Sequence, residues 1–191
     1  MPDSFDREFL RELAKNKEYR AEAEDLVREE FENQKNILIQ NFENHPVTQE
    51  VGNPDSENIS KTLGGYGNLY GFLGLESDDP ISPVKEVLED KIELKTIKFK
   101  ENQIIMTGNV PDLNDFDSAA ALEWDTKNWV KGIERGISGF QFFMAKAAGR
   151  SGKGVQGKAP IKPFTGGMNR FKNTKYMSEL LNQFKSSLSK I

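Results

Sequence analysis

Apolar residues at the start of the chain recur every three, four or seven positions, on a background rich in Glu, Lys and Arg. This spacing is typical of an amphipathic helix with one buried face. It predicts a helix over residues 4–43, interrupted near Asn16 and Lys17, where the apolar stripe breaks. His45 is expected to interact with the last carbonyls of this helix, because Pro46 disfavours helical geometry at the residue before it. The stripe consists of Phe5, Phe9, Leu13, Tyr19, Ala23, Leu26, Val27, Phe31, Leu38 and Phe42.

Two later stretches alternate apolar and polar residues in the manner of β-strands. They cover residues 92–99 and 103–110, and the turn between them falls at Glu101 and Asn102. The pattern predicts a β-hairpin over residues 92–110. Because Lys alternates with apolar residues in the first strand, we expect one face of the hairpin to be solvated and the other to pack on a core.

Five glycines fall within residues 62–75. They predict a turn followed by an aromatic strand over residues 68–75, packed closely against a neighbouring backbone. The segment contains no Gly-Lys-Ser/Thr sequence, so a phosphate-binding loop is not indicated. A short helix follows, for which Ser82 is the expected N-cap and Pro83 the first residue.

The second half of the chain begins with another helical pattern. Residues 125–148 place apolar side chains on one broad face, and Asp125 or Thr126 is the expected N-cap. Gly132 and Gly136 lie four residues apart in this pattern. Since glycine destabilises a helix interior, their presence predicts that another backbone element packs very close.

The last part of the chain divides into two patterns. Residues 149–173 are basic and Gly-rich and have no strong period, which predicts an extended arm. Residues 174–190 return to helical spacing, with Asn173 or Thr174 as the N-cap.

These elements predict an α+β fold. It consists of a long amphipathic N-terminal helix, a small antiparallel sheet that includes the hairpin, a second long helix, an extended basic arm and a C-terminal helix. We expect two units: an α+β assembly domain over residues 1–148, and the basic arm with the C-terminal helix over residues 149–191.

The composition limits the number of domains and the kinds of catalytic or metal site that the chain can form. The chain has 191 residues, which is enough for one domain or for one domain with long extensions. Its hydrophobic fraction of 36% is below the range usual for globular domains, which predicts a modest core and extended segments. The chain contains no Cys, which excludes disulfides and thiolate chemistry, and its single His, His45, leaves few metal or acid–base schemes. Asp112, Asp115 and Asp117 resemble half of a calcium loop, but the required Gly and final Glu are missing from their places.

No catalytic, cofactor or metal site is therefore expected, and the protein is not expected to be an enzyme. Glu134 and Arg135, adjacent in the second helical pattern, are interpreted as surface charges. No apolar run reaches the roughly 20 residues that span a bilayer, and the N-terminus lacks the regions of a signal peptide. We expect no membrane partner, and a location inside a cell or in a particle assembled there.

Charge is unevenly distributed along the chain. Residues 126–191 contain 13 Lys/Arg and 2 Asp/Glu, whereas residues 1–125 contain 13 and 28. In one interpretation the basic half contacts nucleic-acid phosphates, with Phe164 and Phe171 available for stacking on bases. In the other, which the acidic half favours, the basic half of one subunit lies on the acidic half of the next and generates a ring. The residues expected at an interface are Trp124, Trp129, Lys131, Gly132, Arg135, Gly136, Arg150, Lys153, Lys158, Lys162, Arg170 and Lys172.

Two stretches resemble small virion proteins of tailed bacteriophages: N-I-S-K-T-L-G-G-Y-G-N-L-Y-G-F-L-G-L at residues 58–75 and N-W-V-K-G-I-E-R-G-I-S-G-F at residues 128–140. With the order of elements, they make the chain similar to the tail-completion and neck family, which joins the phage head to the tail. The resemblance implies a small α+β protein without enzymatic activity that forms a ring around the DNA channel. The segment 149–173 departs from it, because it is longer than the compact core of such proteins needs.

The resemblance also implies partners and a location. The partners are further copies of the chain and connector, tail-terminator, tube or sheath proteins, with DNA phosphates near the channel wall. The location is the virion, assembled in the host cytoplasm. We therefore expect a non-enzymatic structural subunit, and the alternative is a nucleic-acid-binding module that uses the basic C-terminal segment.

Overall fold

The computed structural model describes residues 16–63, 68–75, 79–100, 103–122, 125–135 and 174–189, without the side chains of residues 125–127. These residues form helices and two antiparallel pairs of strands, which confirms the α+β class. The helices are α1 (Lys17–Asn44), α2 (Pro46–Val51), α3 (Leu69–Leu73), α4 (Ser82–Lys91), α5 (Trp129–Arg135) and α6 (Met177–Leu188). The strands are β1 (Glu93–Lys100), β2 (Gln103–Asn109), β3 (Ala121–Leu122) and β4 (Asp125–Asn128).

Helix α1 begins where the apolar stripe was predicted to break. The side chain of Asn16 accepts a hydrogen bond from the backbone N–H of Glu18 at 2.9 Å, which is an N-cap. The interruption is therefore the start of a helix, and the part of the prediction over residues 4–15 lies outside the described residues. The buried face of α1 consists of Val27, Phe31, Leu38 and Phe42.

His45 separates α1 from α2. Its backbone N–H donates to the carbonyl of Phe42 at 3.2 Å, and its Nδ1 accepts from the N–H of Val47 at 3.2 Å. Pro46 is the first residue of α2, a position where its missing N–H costs nothing. The predicted end of the first helix is confirmed, but the imidazole caps the following helix instead of the last carbonyls of α1.

The aromatic strand predicted over residues 68–75 is wrong. This stretch forms the short helix α3, because both of its ends carry capping signals. The side chain of Asn68 accepts from the N–H of Gly71 at 2.7 Å, and Gly74 adopts the left-handed conformation with φ of 65° that commonly ends a helix. Leu69 and Leu73, one turn apart, are both buried.

The cap of α4 also differs from its prediction. Asp79 Oδ1 accepts from the N–H groups of Ile81 at 3.2 Å and Ser82 at 2.9 Å. Ser82 is thus the first helical residue, and the carboxylate three positions earlier satisfies the free backbone donors at this end.

The predicted hairpin is confirmed, with β1 and β2 paired antiparallel from Glu93↔Asn109 to Lys100↔Gln103 and a bulge between Leu94 and Thr96. A Cβ at Gly108 would lie 2.5 Å from the carbonyl oxygen of Glu93, so only glycine fits beside the bulge. The expectation that one face packs on the core is wrong for most of the hairpin. Of the hairpin's side chains, Leu94 at its base packs against the core, and most of the others are exposed.

The second helical pattern starts later than predicted. Residues 125–128 form β4, which pairs with β3, and α5 begins at Trp129. Asn128 explains the boundary, because its Oδ1 accepts from the N–H of Lys131 at 3.1 Å. The remainder of the predicted helix, residues 136–148, lies outside the described residues.

Tyr176 lies at the centre of the core. Its ring stacks on Phe42 at 6.3 Å and on Trp129 at 6.4 Å between centroids, and its hydroxyl is 2.5 Å from Thr48 Oγ1. Helix α6 continues from it along α1, where Phe184 meets Phe31 edge-on at 5.9 Å. The C-terminal helix, expected in a separate unit with the basic arm, therefore belongs to the same core as α1, α2 and α5.

We expect Tyr176→Phe to lower the free energy of unfolding by about 1–3 kcal/mol, because the buried hydroxyl of Thr48 loses its partner. The midpoint of urea unfolding at constant slope measures this change. Tyr19→Phe, at an exposed position of α1, is the matched control and should change stability by less than about 0.5 kcal/mol. Equal midpoints for the two variants would contradict a structural role for the Tyr176 hydroxyl.

Candidate functional site

The most buried carboxylate of the described chain belongs to Glu50, in α2. Its Oε1 accepts from the N–H of Leu69 and its Oε2 from the N–H of Ser60, each at 2.8 Å. Both oxygens thus accept hydrogen bonds from backbone donors, one in the 56–63 loop and one in α3. The role of this carboxylate is therefore structural. Sequence reasoning missed this residue; the available signal is that Glu50 lies on the same helix face as Val47, where an apolar residue is expected.

Glu134 also connects two elements. Its Oε1 accepts from the N–H of Ser178 at 2.5 Å and from that of Tyr176 at 3.4 Å, so it caps α6 from the neighbouring helix α5. This corrects its interpretation as a surface charge, whereas Arg135 is exposed as predicted. The cap also replaces the one predicted at residues 173–174, and a negative charge at the N-terminus of α6 favours its macrodipole.

His45 and Tyr176 form the one close pair of titratable rings in the described core, with centroids 4.7 Å apart. Burial lowers the pKa of His45 from its usual 6.5, and the nearby charge of Glu179 partly opposes that effect. Burial also raises the pKa of the Tyr176 phenol well above its usual range. Both groups are therefore neutral at physiological pH, the imidazole as the acceptor that caps α2 and the phenol as the partner of Thr48.

The three aspartates that resemble half a calcium loop do not converge. Asp112 accepts from the N–H of Asn114 at 2.6 Å, Asp115 pairs with Lys91 at 3.2 Å and Asp117 pairs with Lys131 at 2.6 Å. The hydrogen bond from the N–H of Asp112, then Lys91, lowers the pKa of Asp115; hydrogen bonds from Lys131 and Asn128 lower that of Asp117. Within the described ranges, no group of three or more His, Asp or Glu side chains has the geometry of a metal site.

The residues predicted at an interface fall into three sets. Trp129 and Gly132 are buried in the core of the described chain, and their place at an interface stays a prediction. Lys131 is mostly buried and paired with Asp117, and Arg135 is exposed. The others lie outside the described residues: Trp124, Gly136, Arg150, Lys153, Lys158, Lys162, Arg170 and Lys172.

A different surface is available for interaction. It consists of the first half of α1 (residues 17–30) together with the hairpin β1–β2. We call it the arm from here on; it is a different segment from the basic arm predicted over residues 149–173. The core cluster includes α1 only from Phe31 onward, and Val27 is buried separately from it. Arg20 lies over the ring of Phe99 at 5.7 Å, so the start of α1 packs against the end of β1. Apart from Leu94, the residues of this segment thus lie outside the core cluster and its packed neighbours.

Large apolar side chains remain exposed on the arm. The exposed fractions are 43% for Tyr19, 61% for Leu26, 43% for Ile104 and 41% for Ile105. Tyr19 and Leu26 are seven residues apart, so they share a face of α1, and exposed acidic residues lie beside them: Glu18, Glu22, Asp25 and Glu29. Exposed apolar side chains grouped within a polar surface often mark an interaction site. The arm is therefore the candidate functional site.

Within the described residues, no helix is both long and apolar enough to cross a membrane. The chain has no significant match among family models, curated proteins or solved structures.

His45 makes stability depend on pH in a defined direction. Its pKa is lower in the folded than in the unfolded state, so its contribution is present above about pH 6.5 and is lost as pH falls through the folded pKa. We expect the free energy of unfolding to fall between pH 7 and pH 5, by at most about 1.4 kcal/mol per pH unit for one proton.

His45→Asn is the matched control, because Asn keeps a side-chain acceptor at the N-cap and does not titrate. The chain contains one His, so this variant removes the imidazole contribution completely. Urea unfolding of both proteins at several pH values measures the difference. Parallel pH profiles for the two proteins would show that His45 does not couple stability to pH.

Proposed function

We propose that the protein is a non-enzymatic structural subunit that works by assembly, and that its setting is the head–tail junction of a tailed phage. The observation that carries the assembly role is the set of large apolar side chains left exposed on the arm. The phage setting is supported by the resemblance of residues 58–75 and 128–140 to virion proteins.

Burial of the arm supplies a driving force for assembly. Removing one such side chain fully from water contributes about 1.5–3 kcal/mol. Tyr19 and Leu26, on the acidic face of α1, each supply part of this gain in the contact, and association entropy offsets part of it. In our proposal a neighbouring subunit covers the exposed apolar side chains of the arm.

Charge selects the partner. Helix α1 contains eight Asp/Glu and four Lys/Arg, whereas residues 135–178 contain nine Lys/Arg and no Asp/Glu. In our proposal the basic segment of one subunit lies on the acidic face of α1 in the next. Two different surfaces meet in such a contact, so it repeats from subunit to subunit and closes into a ring when the rotation allows.

Assembly should depend on salt. We expect large oligomers at about 0.1 M salt that lose the contact between acidic and basic surfaces at about 1 M, where the Debye length falls from about 10 Å to about 3 Å. Size-exclusion chromatography with light scattering measures the mass. Glu22→Lys with Glu29→Lys should weaken assembly, whereas Glu57→Lys, an exposed change in the loop after α2, is the control.

A mass equal to the monomer at every protein and salt concentration would overturn self-assembly. The net charge of the C-terminal part favours nucleic-acid binding as the second candidate. A salt-dependent shift of duplex DNA by the monomer, abolished by Lys153→Glu, Lys158→Glu and Lys162→Glu together, would favour that function instead.

A further inference from the structure

We propose that the outer edge of β2 is a self-association site, which pairs antiparallel with β2 of a second copy. This contact goes beyond the charge-driven contact proposed above and does not depend on it. The hairpin is a two-stranded sheet, so β2 has β1 on one side and no strand of the described chain on the other. Six of its seven residues are exposed, and the seventh, Met106, is half-buried.

The two edges of the hairpin differ in charge. Strand β1 carries Lys95, Lys98 and Lys100, all exposed, which is a common protection of a strand edge against unwanted pairing. Strand β2 has the sequence Q-I-I-M-T-G-N, with no charge and no proline. Charged side chains thus protect β1 against pairing with another strand, whereas β2 has no such protection. This difference is expected if β2 accepts a partner strand.

The backbone of β2 is arranged to accept another strand. Lys100 and Gln103 are paired across a two-residue connection, which makes them a hydrogen-bonded pair. Because direction alternates along a strand, the N–H and C=O groups of Ile104, Met106 and Gly108 then point away from β1. Within the described residues no strand pairs with these groups, which form the hydrogen-bonding row of the edge.

The side chains of β2 are complementary to β2 itself. In an antiparallel pair centred on Met106, Ile105 faces Thr107 of the second copy, a favourable pairing of β-branched residues. Ile104 faces Gly108, which carries no side chain to clash with it, and Gln103 faces Asn109, with which its amide can hydrogen-bond. No charges of like sign oppose one another, whereas self-pairing through β1 would bring lysines together. Charge and shape therefore select a second copy of β2 as the partner.

Such a contact is isologous, since the same surface is used on both subunits. It joins two subunits, or two rings of subunits, across a two-fold axis. It consists of backbone hydrogen bonds and apolar side chains, so salt does not screen it. This property separates it experimentally from the contact between the acidic and basic surfaces.

Cysteine cross-linking tests the register. The chain contains no Cys, so a single introduced Cys is unique. In the proposed pair the Cα atoms at position 106 are about 5.5 Å apart, within the range that a disulfide bridges. We expect Met106→Cys to form a disulfide-linked dimer on mild oxidation. Lys98→Cys, on β1 directly across the hairpin from Ile105, is the matched control and should not.

A mixture of Ile105→Cys and Thr107→Cys chains should give a heterodimer in excess of either homodimer. Equal cross-linking at positions 98 and 106, as in random collision, would overturn the proposal.

A charge on the edge tests the energetics. Light scattering at about 1 M salt, where the charge contact is screened, should show a dimer of the unmodified chain. Ile105→Lys should weaken this dimer by more than about tenfold, because the pair then loses an apolar side chain and must partly desolvate a charged one, a cost that salt does not screen. Leu26→Lys, an equally drastic change on the exposed face of α1, should leave it intact. Circular dichroism and thermal unfolding check that both variants fold.

The two contacts fail independently. A monomer at about 1 M salt would overturn pairing through β2, even if oligomers form at low salt. A dimer that persists at every salt concentration, is lost in Ile105→Lys and never grows larger would support β2 pairing and overturn the ring.

Discussion

The hydrogen bond between Tyr176 and Thr48 lies where the elements of this fold meet. The phenol ring stacks between Phe42 of α1 and Trp129 of α5, and its hydroxyl reaches Thr48 of α2, 128 residues away along the chain. A buried hydroxyl without a partner is costly, so the two groups require each other. This one side chain therefore fixes where α6 enters the core and how α1, α2 and α5 are placed around it.

Two carboxylates complete that arrangement by binding backbone groups of distant segments. Glu50 accepts from N–H groups 10 and 19 residues further on, and Glu134 accepts from the first turn of α6, 42 and 44 residues further on. Glu50 adds a distant acceptor to α3 beside the local cap at Asn68, whereas Glu134 supplies from α5 the acceptor that α6 lacks locally. Hydrogen bonds from backbone donors to a charged acceptor are among the stronger ones in proteins. These carboxylates explain how elements as short as α3 are stable.

Local signals predicted much of this fold and long-range contacts explain the errors. The periodicity of α1, the alternation of the hairpin and the spacing of α6 were sufficient to locate those elements, because each depends on residues close in sequence. Residues 68–75 form a helix where an aromatic strand is predicted, because Asn68 caps α3 and Gly74 ends it. Glu134 caps α6 where a surface charge is predicted, because its partners lie more than 40 residues away along the chain. The arm was missed for a related reason: Leu26 and Val27 are adjacent in sequence, and only the packing shows that one is exposed and the other buried.

The position of the core determines what the arm can do. Because the cluster of buried side chains includes α1 only from Phe31 onward, the first half of α1 and most of the hairpin are stabilised mainly by each other, with Arg20 over Phe99 at one end and Leu94 at the other. A two-stranded hairpin is marginal by itself, and a third strand or a covering surface adds the missing stability. The edge of β2 and the apolar side chains of α1 are therefore exposed for the same reason, which is that the core includes α1 only from Phe31 onward. A partner that covers either of them stabilises the arm as it binds, so among the described residues a segment that contributes little to the core gains stability from assembly.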